Sequence, residues 1–143
     1  MLADWQRTLA AEAGEGAGGA RAATPLPPAE AHFIGRVRGH GAAGEPLEAL
    51  ELEHYPGMTE SQLAGLALAC AQRQGAAAVL VVHRVGRILP GEAIVLVAAA
   101  ADRRGPAQRC GQELLETLKH EAPFWKREWC GGRGRWLQGN TTW

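Results

Sequence analysis

Alternation of apolar and polar residues marks the middle of the chain. Leu50, Leu52 and His54 alternate with Glu51, Glu53 and Tyr55, the period of a half-exposed strand, and Pro56-Gly57 stops it. Before it, His32 to Arg38 reads as a strand with Arg36 and Arg38 on one side, followed by a Gly-rich loop from Gly39 to Pro46. After it the period changes. Thr59-Glu60-Ser61-Gln62 has the form of a capping box, in which the Thr oxygen accepts from a helix N–H and Gln62 reaches back. The helix it opens runs to about Gln74, with Leu63, Leu66, Ala67 and Cys70 as its apolar stripe and Gly75 as its stop. Ala77 to Val82 is a nearly continuous apolar run, hence a buried strand, and continues into His83-Arg84-Val85-Gly86. Pro90-Gly91 turns the chain and Ala93 to Val97 returns, close enough to pair with the preceding strand as an antiparallel hairpin. A second helix spans about Ala107 to Glu121. Pro106 suits its first turn, Cys110, Leu114, Leu115 and Leu118 form its stripe, and Pro123 ends it. Beyond Gly131-Gly132, Arg133 to Leu137 reads as a short strand. Strand, strand, helix, strand, strand, helix with short connections predicts an α+β domain with a mainly antiparallel sheet.

Residues 1–31 have a different texture. Asp4 to Ala13 reads as a short helix with Asp4 at its N-cap, but the glycines from Gly14 to Gly19 and the prolines from Pro25 to Pro28 break any regular element. This segment is expected to be mobile or loosely packed, ahead of one domain over residues 32–143. The 143 residues, 46% of them apolar, suffice for a core without disulfides or a structural metal. No apolar run approaches the roughly 18 residues of a membrane helix, and the first residues lack a signal peptide's basic start and apolar stretch. A cytoplasmic protein with no membrane association is therefore expected. Cys70, Cys110 and Cys130 are odd in number and without metal-ligand spacing, which points to reduced thiols.

Charge adds one asymmetry. The chain is neutral overall, with 15 basic and 15 acidic residues, which argues against a general nucleic-acid binder. Residues 103–143 nonetheless hold eight of the Lys and Arg and only four Glu. Such an excess suits a small anionic ligand or an acidic partner, and equally a solvated charged face. Phosphate loops, dinucleotide-binding glycine fingerprints, Cys-x-x-Cys pairs and nucleophile elbows are all missing. What remains is a set of cations. Lys119 lies in the last turn of the second helix, Lys126 seven residues on, and Arg103 and Arg104 at the other end of that helix. A rise of 1.5 Å per residue separates Arg103 from Lys119 by roughly 24 Å, so both reach one small ligand only if two subunits are juxtaposed. Each cation also has a plain reading: a solvated loop for Arg103-Arg104, and a favourable helix-dipole position for Lys119. Lys126 follows Phe124 and Trp125, which could bury its stem and desolvate its amine, or simply pack in the core. A desolvated lysine beside a second cation is how an amine becomes a base or nucleophile near neutral pH.

The runs from Leu52 to Glu60 (Leu-Glu-His-Tyr-Pro-Gly-Met-Thr-Glu), His83-Arg84-Val85-Gly86, Leu89-Pro90-Gly91-Glu92 and Leu118 to Glu128 together resemble the large, catalytic subunit of molybdopterin synthase, over about Phe33 to Leu137. The resemblance implies an α/β hammerhead-like fold with an additional antiparallel sheet, and a homodimer. Each subunit would bind a small ubiquitin-like sulfur carrier, making a heterotetramer. The carrier's C-terminal glycine bears a thiocarboxylate that enters the large subunit's pocket and gives its sulfur to cyclic pyranopterin monophosphate. Two transfers make the molybdopterin dithiolene, a step of molybdenum cofactor biosynthesis. No resident cofactor or metal is implied, and the sulfur's arrival on the partner accounts for the missing catalytic cysteine.

By position, Lys119 matches the family lysine nearest the thiocarboxylate and the reacting pterin carbon, as base or transient covalent partner. Lys126, with Arg127 and Glu128, matches the substrate pocket. Arg36, Val37 and Arg38 match a substrate-contacting strand end, and Arg103 and Arg104 match a His-Arg pair supplied by the neighbouring subunit. Arg103 keeps the charge of that His but cannot shuttle a proton near neutral pH. Gln108 stands where the family has Phe, and the N-terminal segment departs from the family's first strand and helix. A second reading is a binding scaffold that keeps the fold and partner groove without turnover.

Overall fold

The computed structural model describes residues 25–138. The helix expected over Asp4 to Ala13 and most of the segment expected to be loosely packed lie outside them. Strand β1 (Ala29–Arg36) begins inside that segment, three residues before the expected start. The chain continues through β2 (Ala49–Glu53), α1 (Met58–Gln74), β3 (Ala78–His83), β4 (Gly86–Ile88), β5 (Ala93–Ala101), α2 (Arg104–Glu121), β6 (Trp125–Cys130) and β7 (Arg133–Trp136).

The strands form two sheets, one ordered β1-β5-β3 and the other β4-β2-β6-β7. Every pairing is antiparallel, as the α+β expectation required. The central strand β5 is apolar throughout and fully buried from Leu96 onwards. Its Val97 and Ala99 meet Ala67 and Cys70 of α1 and Cys110, Leu114 and Leu118 of α2. The small residues of β5 let both helices approach closely, and the helix stripes read from the sequence fill this core, with Leu63 and Leu115 packed against it, except for Leu66, which does not join it. The second sheet has its own core of Val37, Leu47, Leu52 and Ile88.

The structure departs from the sequence expectation in local ways with physical reasons. β3 and β5 do pair, Ala78 opposite Ala100 through His83 opposite Val95. They are not a simple hairpin, because β4 leaves between them to join β2 in the other sheet. Gly86 makes that departure with φ +79°, in the region where a side chain is strained. The N-cap of α1 is Gly57 rather than Thr59. The Gly57 N–H donates to the Glu60 carboxylate, while Gln62 donates to the carbonyl of Glu121 on α2 and Thr59 is buried. The start signal was real, but the reaching-back group is Glu60. β6 was not anticipated, because charged residues occupy both of its sides. Pairing with β2 and β7, not its own pattern, makes it a strand.

Candidate active site

Side-chain alternation on β6 sorts its residues to two faces. Lys126 and Glu128 point one way, into a cavity of about 340 Å³ that is also lined by Arg36, Val37, Arg38 and His40. The end of β1 is pinned there by backbone bonds. The Val37 N–H donates to the Glu92 carbonyl at 3.0 Å, and the Gly91 N–H donates to the Val37 carbonyl at 2.9 Å. Arg36 adds a side-chain bond to the Gly91 carbonyl at 3.2 Å. Glu128 is nearly buried. Its carboxylate accepts from the Ala42 N–H at 3.0 Å and lies 3.6 Å from Arg135, so it also ties the loop after β1 to the sheet.

A second cavity, of about 150 Å³, adjoins the first at Ile94 and Lys126. Its other walls include Lys119 from the last turn of α2, His83 from the end of β3, and Phe124. Pro123 and the extended backbone of Ala122 turn the chain between α2 and β6, which lets both lysines face one space. Burial holds the Lys126 amine below the ordinary lysine range, and the neighbouring charge of Lys119 lowers it further. His83 stacks on Phe124 with ring centroids 4.1 Å apart. Burial lowers its pKa, the bond to the Arg84 carbonyl opposes that, and the charge of Lys126 adds to the lowering. The site therefore holds one amine, Lys126, and one imidazole, His83, whose protons are loosened, beside the guanidinium groups of Arg36 and Arg38.

Not all the residues expected at the site are there. Arg127 projects from the opposite face of β6, where its guanidinium bonds Glu51 at 2.9 and 3.2 Å. It lies 4.9 Å from the Trp129 ring and 4.6 Å from that of Trp136. It lines neither cavity, so it is not brought together with Lys126 and Glu128 as the sequence reading expected: a neighbour in sequence on a strand is on the other side. Arg103 is the N-cap of α2 and Arg104 its first residue, and neither lines the two cavities. The 18 residues of α2 span about 27 Å, which keeps this pair at the far end from Lys119 within one chain. His83, in contrast, entered the sequence reading only as part of a motif. Its position closing an apolar strand was the available signal.

Among the described residues, no group of three or more His, Cys, Asp or Glu is placed to hold a metal ion, and no helix is long and apolar enough to cross a membrane. The three cysteines are thiols. Burial pushes Cys70 up to about 12 and raises Cys110 and Cys130 as well. The chemistry on offer is that of two amines and an imidazole next to a cavity lined by two guanidinium groups.

Comparison with known proteins agrees with this geometry. A family model described as MoaE protein matches residues 20–121. The molybdopterin synthase catalytic subunit of Ralstonia nicotianae is 44% identical over 122 residues, which is 85% of this chain and 69% of that protein. The solved structure of the molybdopterin biosynthesis MoaE protein from Burkholderia ambifaria superposes with a TM-score of 0.75 at 37% identity, covering 99% of this chain and 85% of that one. The crystal structure of molybdopterin synthase from Staphylococcus aureus gives a TM-score of 0.73 at 28% identity, covering 78% and 81%.

Proposed function

Since the chain belongs to the MoaE protein family, we propose that its two adjoining cavities form the sulfur-transfer site of a molybdopterin synthase catalytic subunit. The protein acts in molybdenum cofactor biosynthesis. It takes sulfur from the thiocarboxylated C-terminal glycine of a small ubiquitin-like carrier and adds it to cyclic pyranopterin monophosphate, forming the dithiolene in two transfers. The observation that carries the assignment of the site is the convergence of Lys119 and Lys126 on one cavity, with Arg36 and Arg38 at the cavity beside it.

Each residue has a role that its position supports. Lys119 meets the thiocarboxylate and the reacting pterin carbon, as base or transient covalent partner. Lys126 is desolvated and beside a second cation, and both hold its amine below the ordinary lysine range, which favours the base form. Arg36 and Arg38 hold the phosphate side of the substrate, where guanidinium pairs with phosphate through two parallel bonds, with Val37 lining the cavity between them. Glu128 orders the loop over that cavity. Arg103 and Arg104 complete the site from a second copy of the chain, in a homodimer with one carrier on each subunit. The thiols are no sulfur donors, since thiolate is the nucleophile and all three resist forming it. Cys70 and Cys110, two free thiols hydrogen-bonded Sγ to Sγ at 3.8 Å, suit the reducing cytoplasm.

The direct test mixes purified protein, thiocarboxylated carrier and cyclic pyranopterin monophosphate, and follows both reactants by mass spectrometry. Dithiolene formation with the carrier returned as its carboxylate is the expected result. Carrier binding without consumption of its sulfur would assign the chain to the scaffold reading instead.

A further inference from the structure

His83 occupies a position that the lysine-centred reading leaves without a task. It ends β3 and lines the same cavity as Lys119 and Lys126. Its Nδ1 is 2.8 Å from the Arg84 carbonyl oxygen. A carbonyl only accepts, so Nδ1 carries the proton of the neutral ring and Nε2 carries the lone pair. Phe124 stacks on the imidazole with an interplanar angle of 24°, which fixes the plane of the ring. The groups facing this imidazole come from several elements. α2 contributes Lys119, β6 contributes Lys126, and β5 contributes the apolar Ile94 and Val95. The Arg84 guanidinium is turned to Glu92 at 3.3 Å, and His54 lies on the Phe124 ring at 6.5 Å between centroids. Burial, and after it the charge of Lys126, favour the neutral imidazole against the opposing bond to the Arg84 carbonyl.

Sulfur transfer creates a need for such a group. When the thiocarboxylate sulfur bonds to the pterin carbon, the carrier's carbonyl carbon remains attached through that sulfur. Release requires water. A new bond forms between the water oxygen and the carbonyl carbon, the carbon–sulfur bond breaks, and the sulfur keeps the electron pair. One water proton must be removed as the first bond forms, and the departing sulfur takes up a proton. With the lysines engaged in carbon–sulfur bond formation on the substrate, a neutral imidazole in the same cavity can accept that proton.

We propose that His83 is a catalytic residue of this site, its Nε2 accepting the proton of the water that releases the carrier and returning it to the departing sulfur. The inference rests on the sulfur-transfer reading above and adds the acceptor for its hydrolytic half. It separates two tasks within one cavity: the lysines serve carbon–sulfur bond formation on the substrate, and His83 serves carbon–sulfur bond cleavage on the carrier.

Single-turnover kinetics test it, with the carrier–substrate adduct trapped by acid and counted by mass spectrometry. His83→Asn is the informative variant, because its amide N–H can still donate to the Arg84 carbonyl while no ring nitrogen remains to act as base. Adduct should form as in the unsubstituted protein and then persist, its breakdown slowed by about 10²–10⁴-fold, the usual contribution of a general base. Breakdown in the unsubstituted protein should fall with pH along a limb that lies below the ordinary imidazole value of about 6.5, because burial lowers the His83 pKa, and His83→Asn should lack that limb. His83→Ala with added imidazole should regain breakdown, a rescue that a merely structural wall would not show and that does not depend on the Asn variant folding. Breakdown by His83→Asn at the unsubstituted rate, or equal slowing of formation and breakdown without imidazole rescue, would overturn the proposal. Failure of the unsubstituted protein to make any adduct or dithiolene would instead overturn the sulfur-transfer reading, and this inference with it.

Discussion

Lys119 and Lys126 stand on different elements, the last turn of α2 and strand β6, yet face one cavity, and the charge of the first lowers the pKa of the second. Seven residues separate them in sequence. The turn at Ala122-Pro123 and the pairing of Lys126 opposite Leu52 bring them together. The coupling between the two amines is thus a property of the fold.

That coupling has a measurable sign. Burial is the larger cause of the lowered Lys126 pKa and Lys119 the second, so Lys119→Ala should raise the Lys126 midpoint while leaving it below about 10.4, the ordinary lysine value. Between the folded and ordinary values the unfolded chain binds the proton that the folded chain has lost. Stability therefore rises with pH through that window, and the neutral amine accumulates over the same range. Titration of isotope-labelled lysine by NMR, with and without Lys119, reads both midpoints.

Arg38 lines the cavity assigned to the phosphate side of the substrate. A charge-assisted hydrogen bond contributes about 1.5–3 kcal/mol. Arg38→Ala should accordingly weaken binding of cyclic pyranopterin monophosphate by roughly ten- to a hundredfold, with carrier binding unchanged. Calorimetry with each ligand separately distinguishes this from a general loss of structure.

The distance along α2 predicts shared sites. Arg104→Ala and Lys119→Ala chains should each be inactive alone. Exchanged into a mixed dimer, one of the two pockets would hold both original residues, and activity should return toward half per mixed dimer. Absence of any recovery under conditions that exchange subunits would place both residues in one chain's site.

Substituting all three cysteines, as Cys70→Ala, Cys110→Ala and Cys130→Ser, should cost stability and spare turnover. Cys70 and Cys110 are fully buried in the α1–α2–β5 core, where their truncation leaves cavities. The measurement is the thermal midpoint alongside sulfur transfer per mole of folded protein. A fall in turnover out of proportion to folded protein would mean that a thiol of this chain carries sulfur.

Much of this was legible from residue pattern, for identifiable reasons. The helix stripes through Cys70 and through Cys110, Leu114 and Leu118 were readable because one face of each helix is buried and the other is not. The lysines were readable as a cation pair because Pro123 has to redirect the chain between them. The face on which Arg127 lies was not, since β6 has charge on both sides and its orientation is set by pairing with β2. There Glu51 takes Arg127 and the Trp129 indole N–H, the latter at 2.7 Å. His83 was likewise hidden: its place beside the lysines depends on β3 pairing with β5 in one sheet while β6 lies in the other, a relationship between sheets that no local period encodes.

The central claim is that Lys119 performs chemistry at the meeting point of carrier tail and substrate. The most direct measurement is dithiolene formation by Lys119→Ala, with thiocarboxylated carrier and cyclic pyranopterin monophosphate, alongside its thermal unfolding. A lysine at a helix end should cost no more than about 0.5 kcal/mol of stability. The expected result is a folded protein that binds the carrier and makes no dithiolene. Product formation near the unsubstituted rate would contradict the assignment.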